Sequence, residues 1–211
     1  MIDSELQKRI LSSIILLPIT IFFIFKGSIF FIFFLSLIFL AVTYEWFNMS
    51  ENNELTRIFG IIFLFFSFFF AFYLRENFFN LFLLIIVVCI FTDIGGYVFG
   101  KVFKGLKLTK ISPNKTYSGM IGGYFLSLIF LSLFMWLIDQ TTSVEWFIIT
   151  ILISTMSQIG DIIISYFKRL SKIKDTGKII PGHGGLLDRI DGMIFAFPIF
   201  YLIELTDYLL V

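Results

Sequence analysis

Charge is scarce in this chain: 15% of its 211 residues are Asp, Glu, Lys or Arg, against 58% hydrophobic residues and a mean hydropathy of +0.97. A water-soluble globule of that composition has too little polar surface to cover itself, which excludes the soluble class. Cysteine occurs once, at Cys89 within an apolar run, so an intramolecular disulfide and a zinc site built on thiolates are both excluded. The formal net charge is only +1, so overall charge points to no partner, and nothing suggests nucleic acid. There is no repeat, no low-complexity linker and no soluble domain. No small-residue cleavage site follows the polar residues 1–9, so the first apolar run reads as a retained helix and not a signal peptide.

What is abundant is aromatic and aliphatic sequence, including 31 Phe. Apolar runs fall at residues 10–25, 29–47, 58–74, 78–103, 120–138, 146–167 and 191–210. Since about 20 residues cross the hydrocarbon core, the expectation is an all-α, polytopic integral membrane protein of about seven transmembrane helices. Asp93 and Gly95-Gly96 interrupt the fourth run, which leaves open two shorter helical pieces there. Of the 16 basic residues, 14 fall on one side of the seven-helix arrangement and only Lys26 and Arg75 on the other. That asymmetry predicts a cytosolic N-terminus, with both charged loops in the cytosol. Residues 1–91 read as a transmembrane scaffold. Glu45 is the exception there, because an acid inside a membrane helix costs about 2.5–3.5 kcal/mol on insertion scales. Lying beside Trp46 at the interface, it is expected to be hydrated.

The charge that exists is concentrated. Residues 165–191 hold Lys168, Arg169, Lys172, Lys174, Lys178 and Arg189 together with Asp175, Asp188, Asp191 and the only histidine, His183. Pro181-Gly182-His183-Gly184-Gly185 is nearly bare backbone, whose N–H groups can approach an anion closely. Asp188 and Asp191, three apart, share one helix face and suit one cation. A second constellation at residues 92–123 holds Asp93 in apolar surroundings, the small residues Gly95, Gly96 and Gly100 that permit close approach of another backbone, and the turn Ser112-Pro113-Asn114-Lys115-Thr116, which places a lysine and hydroxyls where a phosphate chain fits. The bland reading of both is a pair of wet loops held near anionic lipid heads.

The two stretches resemble the signature of the phosphatidate cytidylyltransferase (CDP-diacylglycerol synthase) family. Ser165, Lys168, Arg169, Lys174, Asp175, Gly177, the 181–185 run, Asp188, Arg189 and Asp191 fill every fixed position of its second half. The first half is similar at Asp93, Gly95, Tyr97, Gly100, Lys101, Ser112, Pro113, Lys115, Thr116, Gly119, Gly122 and Gly123. It departs at Ser118 and Ile164, where the family usually carries Glu, at Lys104-Gly105, which reads as a swap, and at Thr109-Lys110, which stands for Ala-Pro. No Asp, His or Lys of the signature is lost.

The resemblance implies transfer of CMP from CTP to phosphatidic acid, giving CDP-diacylglycerol and pyrophosphate, by a multi-pass protein of a bacterial-type inner membrane whose active site faces the cytosol. Residues 92–211 then form the catalytic region, with cytosolic loops 101–119 and 165–190. The lipid phosphate is itself the nucleophile, so what the reaction needs is relief of anion repulsion, about 4 kcal/mol for two unit charges at 4 Å and an effective dielectric near 20. Divalent metal and basic side chains supply it. On this reading Asp161, Asp188 and Asp191 hold Mg2+, with Asp93 and Asp175 as second choices and a second cation conceivable. Ser112, Lys115, Thr116, the backbone of Gly182, Gly184 and Gly185, and Arg189 take the triphosphate. Lys168 and Arg169 take the lipid phosphate, and His183 contacts phosphate or protonates departing pyrophosphate. The implied partners are CTP, phosphatidic acid and the bilayer; a homodimer is compatible with the reading, and the sequence does not set the oligomeric state. The rival enzyme reading is a CTP-dependent kinase or cytidylyltransferase for an isoprenoid or other lipid acceptor. The D-G-x-x-A-R pattern of CDP-alcohol phosphotransferases is absent. An ion-coupled transporter is disfavoured because the charges gather in loops on one face and no internal symmetry is present.

Overall fold

A computed structural model describes residues 4–50, 53–109, 111–112, 114–182 and 184–205. The elements in order are α1 (Ser4–Lys26), α2 (Ser28–Met49), α3 (Glu54–Asn77), α4 (Phe79–Phe103), α5 (Tyr117–Leu137), α6 (Val144–Leu170), the single turn α7 (Leu187–Ile190) and α8 (Met193–Leu205). Among the described residues there is no strand beyond two isolated bridges, Lys107 with Thr116 and Ile180 with Gly184. The chain is all-helical. Five helices, α2 to α6, are long and apolar enough to cross a membrane, while α1 and α8 contribute the shorter apolar stretches Leu11–Lys26 and Met193–Leu202. Each apolar run of the sequence is therefore helical over most of its described length, with residues 78, 138 and 191–192 at helix ends or links, and the stretch 206–210 of the last run lies outside the described residues.

Local chemistry sets the ends. Gly27, at φ 68°, and Ser28, at φ 48°, turn α1 into α2. The Asn53 carboxamide caps α3 by accepting from Thr56 N at 3.1 Å, and the Thr116 hydroxyl caps α5 by accepting from Gly119 N at 3.1 Å. The fourth run is not divided: α4 passes through Asp93, Gly95 and Gly96 without a break. The glycines there serve packing instead. A Cβ on Gly95 would stand 2.3 Å from the Gly122 carbonyl oxygen, and one on Gly119 would stand 2.6 Å from that of Gly96. Glycine facing glycine lets α4 and α5 meet backbone to backbone, and theirs is the most extensive helix contact in the fold.

Two apolar clusters fill the interior. One joins α2, α3, α4, α6 and α8 through Phe31, Leu74, Phe82, Ile85, Ile149 and Phe200, with Phe82 stacked on Phe197 at 5.5 Å. The other, around Val42, Trp46, Leu64, Ile164, Leu187 and Ile194, lies directly beneath the 165–190 loop. Outward faces stay apolar: Phe59 is 69% exposed and Ile29 72%. In water such faces are a liability; in lipid they are the matching surface, with every helical backbone bond satisfied internally.

Candidate active site

Three helices bring the carboxylates together. Asp93 comes from α4, Asp161 from α6, and Asp191 from the link between α7 and α8. The last two are neighbours because α6 and α8 cross on small residues: a Cβ on Gly160 would stand 2.6 Å from the Asp191 carbonyl oxygen, and one on Gly192 would stand 2.2 Å from the Ser157 hydroxyl. Asp188, on α7, completes the set. All four line one pocket of about 320 Å3, together with Thr92, Ser112, Asn114, Lys115, Thr116 and Gln158. Thr92 donates its hydroxyl to Ser154 at 2.8 Å, fixing α4 to α6 beside the pocket.

Lys115 reaches the pocket from the α4–α5 connection. That connection folds back as a narrow turn, Leu108 N donating to the Lys115 carbonyl at 2.7 Å and Tyr117 N to that of Leu106 at 3.1 Å. The Lys115 ammonium stands 2.5 Å from Asp161 Oδ2, an ion pair whose angles do not make a hydrogen bond. Its protons therefore remain available to a further acceptor. Thr116 lines the pocket and also caps α5, so its hydroxyl has a structural duty that the sequence did not disclose.

The expected 165–190 loop is shorter, since α6 runs to Leu170 and α7 takes Leu187–Ile190, and the connection between them is arranged differently from the open anion cradle that its glycines suggest. Ile180 N donates to the Gly184 carbonyl at 3.1 Å, closing a tight turn in which Gly182 and Gly184 take φ 77° and 84°. The Ser12 hydroxyl of α1 donates to the Pro181 carbonyl at 3.2 Å. Gly185 N is not an open donor: it is directed to Asp188 Oδ2 at 3.2 Å. Asp188 also accepts from Thr176 N at 2.8 Å and from the Lys168 ammonium at 2.6 Å, and lies 3.1 Å from Thr176 Oγ1, whose single proton it shares with Glu45. It is a buried hub, not a loose ligand. Lys168 is thus engaged with a carboxylate, while Arg169 is exposed and donates to the Ile173 carbonyl at 3.2 Å, away from the pocket. Asp175 and Arg189 are exposed, and neither they nor Gly182, Gly184 and Gly185 line the pocket. His183 lies outside the described residues.

Glu45 overturns its expected hydration. It is 1% exposed, and its carboxylate accepts from Leu186 N at 2.9 Å, Leu187 N at 2.8 Å and Thr176 Oγ1 at 2.9 Å. The signal was present, an acid in an apolar helix, but its partners are about 130 residues away in sequence and invisible to any local pattern.

A sequence model of the cytidylyltransferase family matches residues 55–206. The chain is also similar to the phosphatidate cytidylyltransferase of Rickettsia bellii (strain RML369-C), 34% identical over 211 residues that span 95% of this chain and 91% of the relative. That of Rickettsia conorii (strain ATCC VR-613 / Malish 7) is 32% identical across 96% of this chain and 92% of its own length. The phosphatidate cytidylyltransferase of Staphylococcus aureus (strain COL) is 45% identical over 111 residues, 51% of this chain and 42% of the relative. This chain belongs to the cytidylyltransferase family. It is accordingly a membrane-embedded nucleotidyltransferase, and the pocket on α4, α6 and α7 is the part of this cytidylyltransferase where acidic, basic and hydroxyl groups converge.

The donor set suits a hard divalent cation. Four carboxylates face two ammonium groups, Lys115 in the wall and Lys168 behind Asp188, so acids exceed bases by two. Among the described residues no three acidic, thiol or imidazole groups close into a complete cage. An incomplete set is what Mg2+ uses when one or two carboxylates and substrate phosphates share its coordination. Because Asp188 is already encircled by donors, one or two of Asp93, Asp161 and Asp191, together with substrate phosphates, could hold such an ion.

Proposed function

We propose that this cytidylyltransferase is a phosphatidate cytidylyltransferase, joining CTP and phosphatidic acid to give CDP-diacylglycerol and pyrophosphate. The observation that carries the proposal is the meeting of the excess carboxylates with Lys115, Ser112 and Thr116 in one pocket of a protein belonging to this family. Asp93 lies ten residues before the end of α4 and Asp161 nine before the end of α6, or about 14–15 Å along each helix at 1.5 Å per residue. The pocket is therefore walled by these helices below their ends and by Ser112, Asn114 and Lys115 of the α4–α5 connection, so the charged connection forms part of the site. A volume of about 320 Å3 is at the small end of ligand pockets and fits the reacting phosphates, with cytidine and acyl chains extending beyond.

In the proposed reaction a lipid phosphate oxygen attacks the α-phosphorus of CTP. A new P–O bond forms, the bond from the α-phosphorus to the bridging oxygen breaks, and pyrophosphate leaves with that electron pair. Lys115 offers its free protons to the triphosphate, and the Ser112 and Thr116 hydroxyls line its path. One or two of Asp93, Asp161 and Asp191 would hold Mg2+, which would supply charge neutralisation to the phosphates. Catalysis on this scheme is positioning and electrostatics, with no protein nucleophile. The finer topology belongs to the same proposal: α1 and α8 join the five long helices as spans, the N-terminus and both charged loops face the cytosol, the membrane is a bacterial-type inner membrane, and the assembly is a homodimer.

Purified protein incubated with CTP, Mg2+ and phosphatidic acid is expected to yield a CDP-lipid and pyrophosphate. EDTA should abolish the product and added Mg2+ restore it. Absence of CDP-lipid from folded protein refutes the substrate assignment, and full turnover after thorough chelation refutes the metal assignment.

A further inference from the structure

The geometry points to Glu45, on the scaffold helix α2, as the positioning residue that holds the loop of the active site in register. This inference rests on the function proposed above and deepens it. Glu45 lies N-terminal to the residues 55–206 matched by the family. Its two carboxylate oxygens receive three donors from two separate parts of the loop, Thr176 Oγ1 on one side and the Leu186 and Leu187 amides on the other. The Leu186 and Leu187 amides open α7, the turn that presents Asp188, and a single-turn helix has no propagation of its own to hold it. Thr176 Oγ1 stands between two carboxylates, 2.9 Å from Glu45 and 3.1 Å from Asp188, so one hydroxyl links the scaffold to the residue that carries Lys168.

The surroundings have been emptied to admit this side chain. A Cβ on Gly177 would stand 2.4 Å from Glu45 Oε1, and one on Gly185 would stand 2.7 Å from Oε2. Both glycines lie in the loop and both contacts are with the same carboxylate. All three polar contacts of the carboxylate are donated to it, so the position demands acceptors only. A glutamine fills the same volume but puts an amide N–H against either the Leu186 or the Leu187 N–H, whichever way it is turned. A residue needed only to fill space tolerates that exchange; a residue needed to fix two amides does not. Glu45 touches no substrate in this scheme and acts through Thr176, α7 and Asp188.

The test compares wild type with Glu45→Gln, Thr176→Val and Thr176→Ser in detergent, with rates expressed per folded enzyme. Glu45→Gln is expected to lower kcat by up to about 100-fold with KM for CTP nearly unchanged, the size that about 1 Å of misplacement in a site can cost. Hydrogen exchange at the Leu186 and Leu187 amides should accelerate by about tenfold or more, while the α4–α5 amides remain as in wild type. Thr176→Val should show a smaller loss that Thr176→Ser restores, which keeps the inference falsifiable if Glu45→Gln does not fold. Wild-type kcat per folded Glu45→Gln enzyme, or wild-type kcat in Thr176→Val, overturns it. The exchange measurement needs no substrate, so if wild type forms no CDP-lipid the function proposal fails while unchanged exchange in Glu45→Gln would separately sink the role of Glu45.

Discussion

Asp188 and Lys168 form a buried pair whose two members should respond unequally to mutation. Their contact is 2.6 Å, with the side chains 8% and 12% exposed. Replacing Asp188 with Asn leaves the Lys168 ammonium buried against a neutral amide and turns an N–H toward donors. Removing one partner of a buried pair costs about 3–5 kcal/mol. Because the pair borders a pocket that water enters, the lower figure applies, about 3 kcal/mol. At about 2–4 °C per kcal/mol for a chain of this size, the melting temperature should fall by about 6–12 °C. Replacing Lys168 with Met has a different outcome, since Asp188 keeps the amides of Thr176 and Gly185. The loss is then one hydrogen bond to a charged group, about 1.5–3 kcal/mol, or roughly 3–12 °C with the centre near three-quarters of the Asp188→Asn effect. Thermal unfolding followed by tryptophan fluorescence in one detergent measures both. A Lys168→Met protein that melts below Asp188→Asn refutes the hub assigned to Asp188. The same geometry means that Asp188→Asn mixes folding with catalysis. Asp191→Asn does not, because the Asp191 bond, Oδ1 from Gly192 N at 2.9 Å, survives in Asn. It should melt near wild type while kcat and kcat/KM fall together.

The α4–α5 crossing admits no side chain at Gly95, so Gly95→Leu should abolish folded, active protein, whereas Gly105→Ala, with nothing within 4 Å, should cost only the strain of its φ of 105°; yields of monodisperse protein check both. Single cysteines at Lys107 and Lys174 in a Cys89→Ala background should react with an impermeant reagent only from the cytosolic face, and one at Thr142 only from outside. Labelling of the two loops from opposite faces would overturn the seven-span topology and the shared site with it.

Much of the site was legible because its chemistry is written in residue types that lipid does not tolerate. Asp93, Ser112, Lys115, Thr116, Asp161, Asp188 and Asp191 stand out in an apolar chain, and the structure gathers all seven in one pocket. Legibility ended where a residue carries two duties. Thr116 reads as a phosphate ligand and is also a helix cap; Gly185 reads as an anion donor and is directed to Asp188. Lys168, Arg169 and Arg189 all read as phosphate ligands, yet none lines the pocket, because sequence does not say which way each side chain leaves the chain.

The sequence by itself determined that this is a helical membrane protein and where its helices lie, because hydropathy over about 20 residues is a local property that the bilayer reads directly. It also determined the chemical character of the site, since each Asp, Lys and Gly is conspicuous without reference to any other. Only the tertiary structure decided that α4 continues through its glycines, since a partner backbone on Gly122 makes those glycines a packing surface and not a break. Only it decided that Glu45 is a buried anchor and that Asp188 is a hub. Those roles depend on donors brought from over a hundred residues away, Leu186, Leu187 and Thr176 to Glu45, or from across a loop, Lys168 to Asp188, and a carboxylate's cost or use is set by the donors around it.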